Sequence, residues 1–120
     1  DFFATVSDII NKPLSNKTDG ISYLPSLIGT KQIAHDYLYW EFPAYGGQQA
    51  IRIDQWKGIK KGLLKGSSNL HLYNLTDDPK ELNNLADNYP DIVKKMERLL
   101  EEAHTKASIE KFRIPVLDEN

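Results

Sequence analysis

Three histidines, His35, His71 and His104, are the side chains best suited to acid–base chemistry near neutral pH. They are far apart in sequence and form neither an HxH nor an HExxH pattern, so no histidine metal site is predicted. His35 and the adjacent Asp36 can form a general-base pair, although a solvated loop is the simpler interpretation. His71 falls in a predicted strand, where we expect a structural or surface role. His104 ends a predicted helix, where the dipole favours a cation.

Two short patterns deserve comparison with known ligand sites. Asp77 and Asp78 precede Pro79, and two adjacent carboxylates can bind a cation, but Asp before Pro is more typical of a turn. The pair Gly46-Gly47 lacks the strand-to-helix context and the Lys-Ser/Thr of a phosphate loop. The sequence therefore predicts no catalytic residue and no metal ligand in this chain.

Arg52 and Lys57 are the candidate binding residues. The segments that flank Asp54-Gln55 predict a hairpin with a two-residue loop. In that register Arg52 lies opposite Lys57, and like charges that face each other are unfavourable. We expect an anion to relieve them, either Glu41 on the preceding strand, a carboxylate from outside this chain, or an anionic ligand. Two solvated side chains are the simpler alternative.

The other face of the hairpin is predicted to be apolar. It carries Ile51, Ile53 and Trp56, and Gly58 leaves room there for an aromatic ring. A helix that begins at Pro90 would cover this face, because its apolar side chains form one stripe: Ile92, Val93, Met96, Leu99, Leu100 and Ala103.

Two further strands are predicted at residues 37–42 and 70–75, and a helix is predicted within residues 1–10. That first helix is apolar and needs to be covered by other parts of the structure. Its apolar side chains are Phe2, Phe3, Val6, Ile9 and Ile10. The prediction is an α+β fold: a small antiparallel sheet of about four strands, a C-terminal helix packed across it, and an N-terminal helical and loop segment before it.

Aromatic side chains are concentrated in and beside the predicted sheet. A platform for stacking sugars is one interpretation, but strand alternation predicts that about half of them lie in the core. These residues are Tyr37, Tyr39, Trp40, Tyr45 and Trp56.

The composition is that of an ordinary globular domain of 120 residues, with 40% hydrophobic and 27% charged residues. The net charge is −2 and no basic stripe is present, so nucleic acid is not an expected partner. No apolar run approaches the roughly 18 residues of a membrane span, so no membrane partner is expected.

The chain has no cysteine, which leaves the compartment undecided. It starts at Asp1 without a signal peptide, which suggests a processed product or an excised fragment.

Several segments together resemble the C-terminal part of the formylglycine-dependent sulfatases, the arylsulfatase-like branch of the alkaline-phosphatase-like superfamily. The clearest is LYNLTDDPKELNNLADNYPDIVKKMERLLEEAH, residues 72–104, in which Asn74 replaces the usual Asp. YLYWEF and GGQQAIRIDQWKGIK are similar to the family's preceding strands, with Asp54 near a position that is often Gly. DGISYLPSLIG and the first ten residues also match, except that Ala4 stands where Pro is common.

The resemblance implies a catalytic N-terminal domain in cis as the main partner. That domain would use formylglycine and calcium to hydrolyse sulfate esters, with the formylglycine in a Cys/Ser-x-Pro-Ser-Arg motif that this chain lacks. No catalytic or metal residue of the family can be carried over, and no cofactor is expected here. A sulfated carbohydrate is the implied substrate, and the family suggests a periplasmic or secreted location.

The resemblance also implies a division of the chain. Residues 1–36 would be the end of the parent main domain and its connection, residues 37–104 the C-terminal sheet-plus-helix subdomain, and residues 105–120 an extended tail. The first hypothesis is thus a C-terminal part of a sulfatase that completes the fold and lines the substrate pocket. The alternatives are an independent carbohydrate-binding module and a structural domain that dimerises through exposed apolar surface.

Overall fold

A computed structural model of the chain describes residues 1–16 and 18–118. The chain forms two compact units, and the second begins at Tyr37. Within the described residues, no helix has the length and apolar character needed to cross a membrane.

The first unit contains helices α1 (Phe2–Ile9) and α2 (Leu24–Leu27). Pro25 occupies the first turn of α2, where its fixed φ is compatible with helix initiation. Asp1 ties the unit together, because its carboxylate accepts the backbone N–H of Ile21 at 2.9 Å. The predicted apolar surface of α1 remains largely exposed, including Phe2, Phe3, Ile9 and Ile10.

The second unit contains a four-stranded antiparallel sheet with the strand order β1-β2-β3-β4. The strands are β1 (Leu38–Phe42), β2 (Gln48–Ile53), β3 (Trp56–Lys61) and β4 (Leu70–Asn74). Each pairs with the next along the chain. Together with the long helix after β4, this confirms the predicted α+β fold.

The β2–β3 hairpin has the register that its two-residue loop predicted. Ile53 pairs with Trp56, and Arg52 pairs with Lys57. Asp54 in the loop has φ of 50°. That left-handed conformation favours glycine and is tolerated by Asp.

Helix α3 (Pro90–Ala103) covers one face of the sheet, which we call the inner face. The apolar core between the helix and this face is fully or almost fully buried and consists of Ile51, Leu70, Leu72, Met96 and Leu100. The space beside Gly58 is filled by Met96 of α3, since a Cβ at position 58 would lie 2.8 Å from Met96 Sδ. The expectation of an aromatic ring at this place is therefore wrong, because an unbranched thioether on the covering helix fills the gap.

The segment that follows α3 contains two short helical elements. They are a 3-10 turn (Glu110–Phe112) and helix α4 (Pro115–Asp118), and Ile114 between them is buried. This differs from the extended tail expected for residues 105–120, because one apolar side chain anchors a segment that has no periodic pattern. Residues 119 and 120 of that tail lie outside the described residues.

Candidate functional site

The face of the sheet opposite α3, which we call the outer face, carries the two candidate binding residues. Strand alternation and the observed register place on it Leu38, Trp40, Phe42, Ala50, Arg52, Lys57, Ile59, Lys61, His71 and Tyr73. The outer face therefore combines aromatic rings with four basic side chains, counting His71, which is a composition suited to an anionic or aromatic-stacking partner.

Lys57 is neutralised by Glu81, in the loop after β4. Lys57 Nζ donates to Glu81 Oε1 at 2.5 Å, and about a quarter of each side chain is exposed. Burial first, and then the charges of Glu81 and Asp78, raise the pKa of Tyr73, which pairs with Lys57 across the sheet. Of the anions considered from the sequence, Glu41 is thus not the partner of Lys57.

Arg52 is exposed, and its guanidinium Nε donates to the backbone oxygen of Asp54 at 3.0 Å. That bond holds the side chain over the hairpin loop and leaves the rest of the guanidinium fork directed to solvent or a partner. Since Lys57 already has a carboxylate, Arg52 is the stronger of the two candidates for binding an external anion.

Asp78 shapes the loop that presents Glu81. The backbone N–H of Asn83 donates to Asp78 Oδ2 at 2.8 Å. This bond and those from the backbone N–H groups of Leu82, Glu81 and Lys80 lower the pKa of Asp78. The neighbouring Asp77 accepts from the Asn74 side chain at 2.7 Å, and both carboxylates therefore have the turn role that the sequence favoured.

The aromatic residues divide between the two faces as alternation predicted. Tyr37, Tyr39 and Trp56 pack against the core on the inner face. Trp40 on the outer face is 50% exposed and Tyr45, in the loop after β1, is 87% exposed. A stacking surface on the outer face would thus use only part of the aromatic set, together with Phe42, which is 51% exposed.

A polar network that the sequence did not predict lies beside the inner face. Glu41 Oε2 lies 2.8 Å from His104 Nδ1 and accepts the hydroxyl of Tyr39 at 2.5 Å. Asp118 Oδ1 lies 3.1 Å from His104 Nε2. The helix-dipole interpretation of His104 is therefore incomplete, because the imidazole also bridges two carboxylates.

The other two histidines take part in no comparable arrangement. His35 Nε2 lies 2.9 Å from Asp1 Oδ1, so its carboxylate partner is Asp1 and not the adjacent Asp36. His71 is exposed and lies 3.4 Å from the hydroxyl of Tyr73, as expected for a surface residue. The structure therefore gives no support to a general-base pair of His35 and Asp36, for which a solvated loop was already the simpler interpretation from sequence.

The pairs Lys57–Glu81 and His104–Glu41 could not be predicted from local sequence patterns. They join residues 24 and 63 positions apart, and no periodic pattern relates such distant side chains. Glu81 has φ of 57°, an uncommon value for a non-glycine residue that becomes visible only in the structure.

No group of three or more His, Asp or Glu side chains suited to holding a metal ion occurs within residues 1–16 and 18–118. Arg52, Lys57 and the aromatic residues of the outer face can bind and position a ligand, but they include no nucleophile with an adjacent base. The outer face is therefore suited to binding a ligand.

Comparison with curated proteins finds sulfatases. The chain is 28% identical over 119 residues to an N-acetylgalactosamine-6-O-sulfatase of Bacteroides thetaiotaomicron, covering 88% of this chain and 23% of that protein. It is 33% identical over 110 residues to arylsulfatase K of Danio rerio, covering 83% of this chain and 20% of that protein. The chain thus spans about a fifth of the length of these relatives. No protein-family model matches it.

Comparison with solved structures also finds sulfatases. A structure described with the metabolism of multiple glycosaminoglycans by Bacteroides thetaiotaomicron has a TM-score of 0.67 and 28% identity, over 85% of this chain and 24% of that one. These matches confirm that the chain is similar to a sulfatase C-terminal domain.

Proposed function

We propose that this chain is the C-terminal part of a sulfatase, a sulfuric ester hydrolase whose catalysis lies in an N-terminal domain in cis. The observation that carries the proposal is the sheet with one face covered by α3 and an outer face that keeps Trp40 and Phe42 half exposed. A sheet in a folded domain normally buries its apolar face against another layer. The proposed second layer is the catalytic domain.

In this proposal the catalytic domain supplies formylglycine and calcium. The chain has no Cys/Ser-x-Pro-Ser-Arg motif, and its described residues include no cluster suited to a metal ion, so the residues present do not fit either group. The role of this chain is to complete the fold and to position groups at the rim of the pocket.

Arg52 is the residue we propose for contact with an anionic substrate or with a carboxylate of the catalytic domain. A guanidinium donates two parallel hydrogen bonds to planar or tetrahedral oxyanions, and Arg52 has uncommitted donors. Lys57 has a supporting role, because its pairing with Glu81 leaves it less charge to offer. The proposed substrate class is a sulfated carbohydrate, which is in keeping with the name of the Bacteroides relative.

The coding sequence upstream of Asp1 tests the proposal. We expect an open reading frame that continues upstream and encodes a Cys/Ser-x-Pro-Ser-Arg motif. A reading frame that begins close to Asp1, or one that continues through a full domain without this motif, contradicts the proposal.

The second candidate function is an independent carbohydrate-binding module. The exposed rings of Trp40, Phe42 and Tyr45 favour it, since Phe42 and Tyr45 lie with ring centroids 6.1 Å apart and sugars stack on such surfaces. Titration of the chain with sulfated and unsulfated oligosaccharides separates the two functions. Saturable binding that is lost in Trp40→Ala supports the module, and absence of binding supports the sulfatase proposal.

A structural domain that dimerises is the remaining alternative. It rests on the exposed apolar side chains of α1, among them Phe2 and Phe3. Sedimentation of the chain across concentration tests it. A dimer that persists in Phe2→Ser/Phe3→Ser excludes α1 as the interface, and a monomer excludes the alternative.

A further inference from the structure

His104 joins two parts of the second unit that are distant in sequence. Its Nδ1 lies 2.8 Å from Glu41 of β1, and its Nε2 lies 3.1 Å from Asp118 of α4. The three side chains are only 12%, 18% and 7% exposed, in the order His104, Glu41 and Asp118. The imidazole is thus a polar link between the sheet and the segment after α3, in addition to the buried Ile114.

The groups around His104 are mostly acceptors. The Tyr39 hydroxyl donates to Glu41 Oε2, and burial raises the pKa of Tyr39, so this phenol stays protonated and remains a donor. Lys106 adds a cation beside the cluster, with Nζ 3.9 Å from Asp118 Oδ2, and more than half of its side chain is exposed. His104 also follows the last turn of α3, where the helix carbonyls favour a positive charge.

A histidine can donate from both ring nitrogens only when it is doubly protonated. In the neutral form one nitrogen becomes an acceptor, and here it would face a carboxylate oxygen. We propose that Glu41, His104 and Asp118 form a pH-operated clasp, which holds residues 105–118 on the sheet when His104 is protonated and loosens them when it is neutral.

The direction of the pH dependence follows from the surroundings of the imidazole. Burial lowers the pKa of His104, but the hydrogen bonds and charges of Glu41 and Asp118 outweigh it, and the net pKa is raised. A group whose pKa is raised in the folded state stabilises that state fully below its unfolded pKa of about 6.5. The stabilisation is lost as the pH rises through the folded pKa. The clasp is therefore closed in acid and opens on the alkaline side.

Nuclear magnetic resonance tests the clasp on the intact chain. Side-chain nitrogen shifts give the titration of His104. Hydrogen exchange of the Leu117 amide, which donates to Ile114 O at 2.9 Å, reports docking of the segment. We expect His104 to titrate above the ordinary histidine pKa of about 6.5. Protection of Leu117, corrected for the intrinsic exchange rate, should fall by about fivefold or more across that titration.

Two variants make the test specific. Asp118→Asn keeps the shape of the side chain but removes the charge, and we expect it to abolish the pH dependence of Leu117 protection. His71→Gln is the matched control, because His71 is exposed and should leave that dependence unchanged.

Three results overturn the proposal. They are titration of His104 at or below the ordinary histidine pKa of about 6.5, constant Leu117 protection while His104 titrates, and unchanged pH dependence in Asp118→Asn. If Asp118→Asn does not fold, the titration and exchange of the unmodified chain decide, with Glu41→Gln as the second variant.

Discussion

At the scale of single residues, the charge balance of the outer face depends on Glu81. Arg52 and Lys57 are directly opposite each other, an arrangement that is unfavourable without a nearby anion. Glu81 supplies that anion to Lys57 and leaves Arg52 without a carboxylate partner within the described residues. The same loop therefore decides which of the two cations is available to a ligand.

A double-mutant cycle measures this pairing. We expect Glu81→Gln to lower the free energy of unfolding by about 1 kcal/mol, and the coupling with Lys57→Met to be of similar size, since the pair is only partly exposed. Urea unfolding provides the free energies. The cycle of Glu81→Gln with Arg52→Ala is the control and should show coupling near zero. Equal coupling of Glu81 to both cations would contradict the assignment.

The Asp78 carboxylate gives the loop around Glu81 a pH dependence. Its pKa is lowered in the folded state by backbone N–H groups, so the stabilisation is present above the unfolded pKa of about 3.9 and is lost as the pH falls through the folded pKa. We expect protection of the Asn83 amide from hydrogen exchange to disappear in that acid range and to be weak at every pH in Asp78→Asn. Asp77→Asn is the control, because Asp77 accepts from the Asn74 side chain instead. Acid-independent protection of Asn83 would be evidence against this role.

At the scale of elements, α3 and the sheet fit together at Gly58. A Cβ there would lie 2.8 Å from Met96 Sδ, 3.2 Å from Leu70 and 3.3 Å from Ile51. The first of these contacts is closer than real Cβ atoms allow and the other two are tight, and overpacking a core costs about 1–3 kcal/mol.

We therefore expect Gly58→Ala to lower the free energy of unfolding by about 1–3 kcal/mol. Thermal and urea unfolding check this value. Lys61→Ala on the same strand is the control, since Lys61 is exposed and its truncation should change stability by less than about 0.5 kcal/mol. A Gly58→Ala protein as stable as the control would show that α3 can shift away from β3 at little cost.

Local patterns predicted much of this element arrangement. The two-residue loop at Asp54-Gln55 determined the hairpin register, and the apolar stripe after Pro90 determined which helix covers the sheet. Both signals depend on residues close together in sequence. The partners of His104 and Lys57, and the buried Ile114, could not be predicted, because they depend on how distant segments meet.

At the scale of the whole molecule, one face of the sheet is covered by a helix and the other is covered only in part. On the outer face Ile59 and Tyr73 are buried, and Lys57 pairs with Glu81. The inner face is covered by α3, whereas Trp40 and Phe42 on the outer face remain half exposed. Because about half of each side chain is already buried, burying the rest contributes on the order of 1 kcal/mol each. The outer face is therefore where the proposed catalytic domain would gain the most from contact.

Trp40→Lys tests that contact. In the 120-residue chain alone we expect a loss of about 1 kcal/mol in stability, because half of the side chain is buried there. In the longer polypeptide that the proposal requires, the same change should lower the yield of folded, active enzyme severalfold. Ile109→Lys is the matched control, since Ile109 is exposed in the segment after α3, and it should have no effect in either context. Equal effects of the two variants in the longer polypeptide would count against the outer face as the contact surface.

Hydrolysis of an aryl sulfate in the presence of calcium tests most directly whether this chain supports a catalytic domain without containing the catalytic centre. The assay compares the purified 120-residue chain with the longer polypeptide that includes the region before Asp1. We predict no turnover by the chain alone and clear turnover by the longer polypeptide. Turnover by the chain alone, or none by a folded longer polypeptide, would contradict the account.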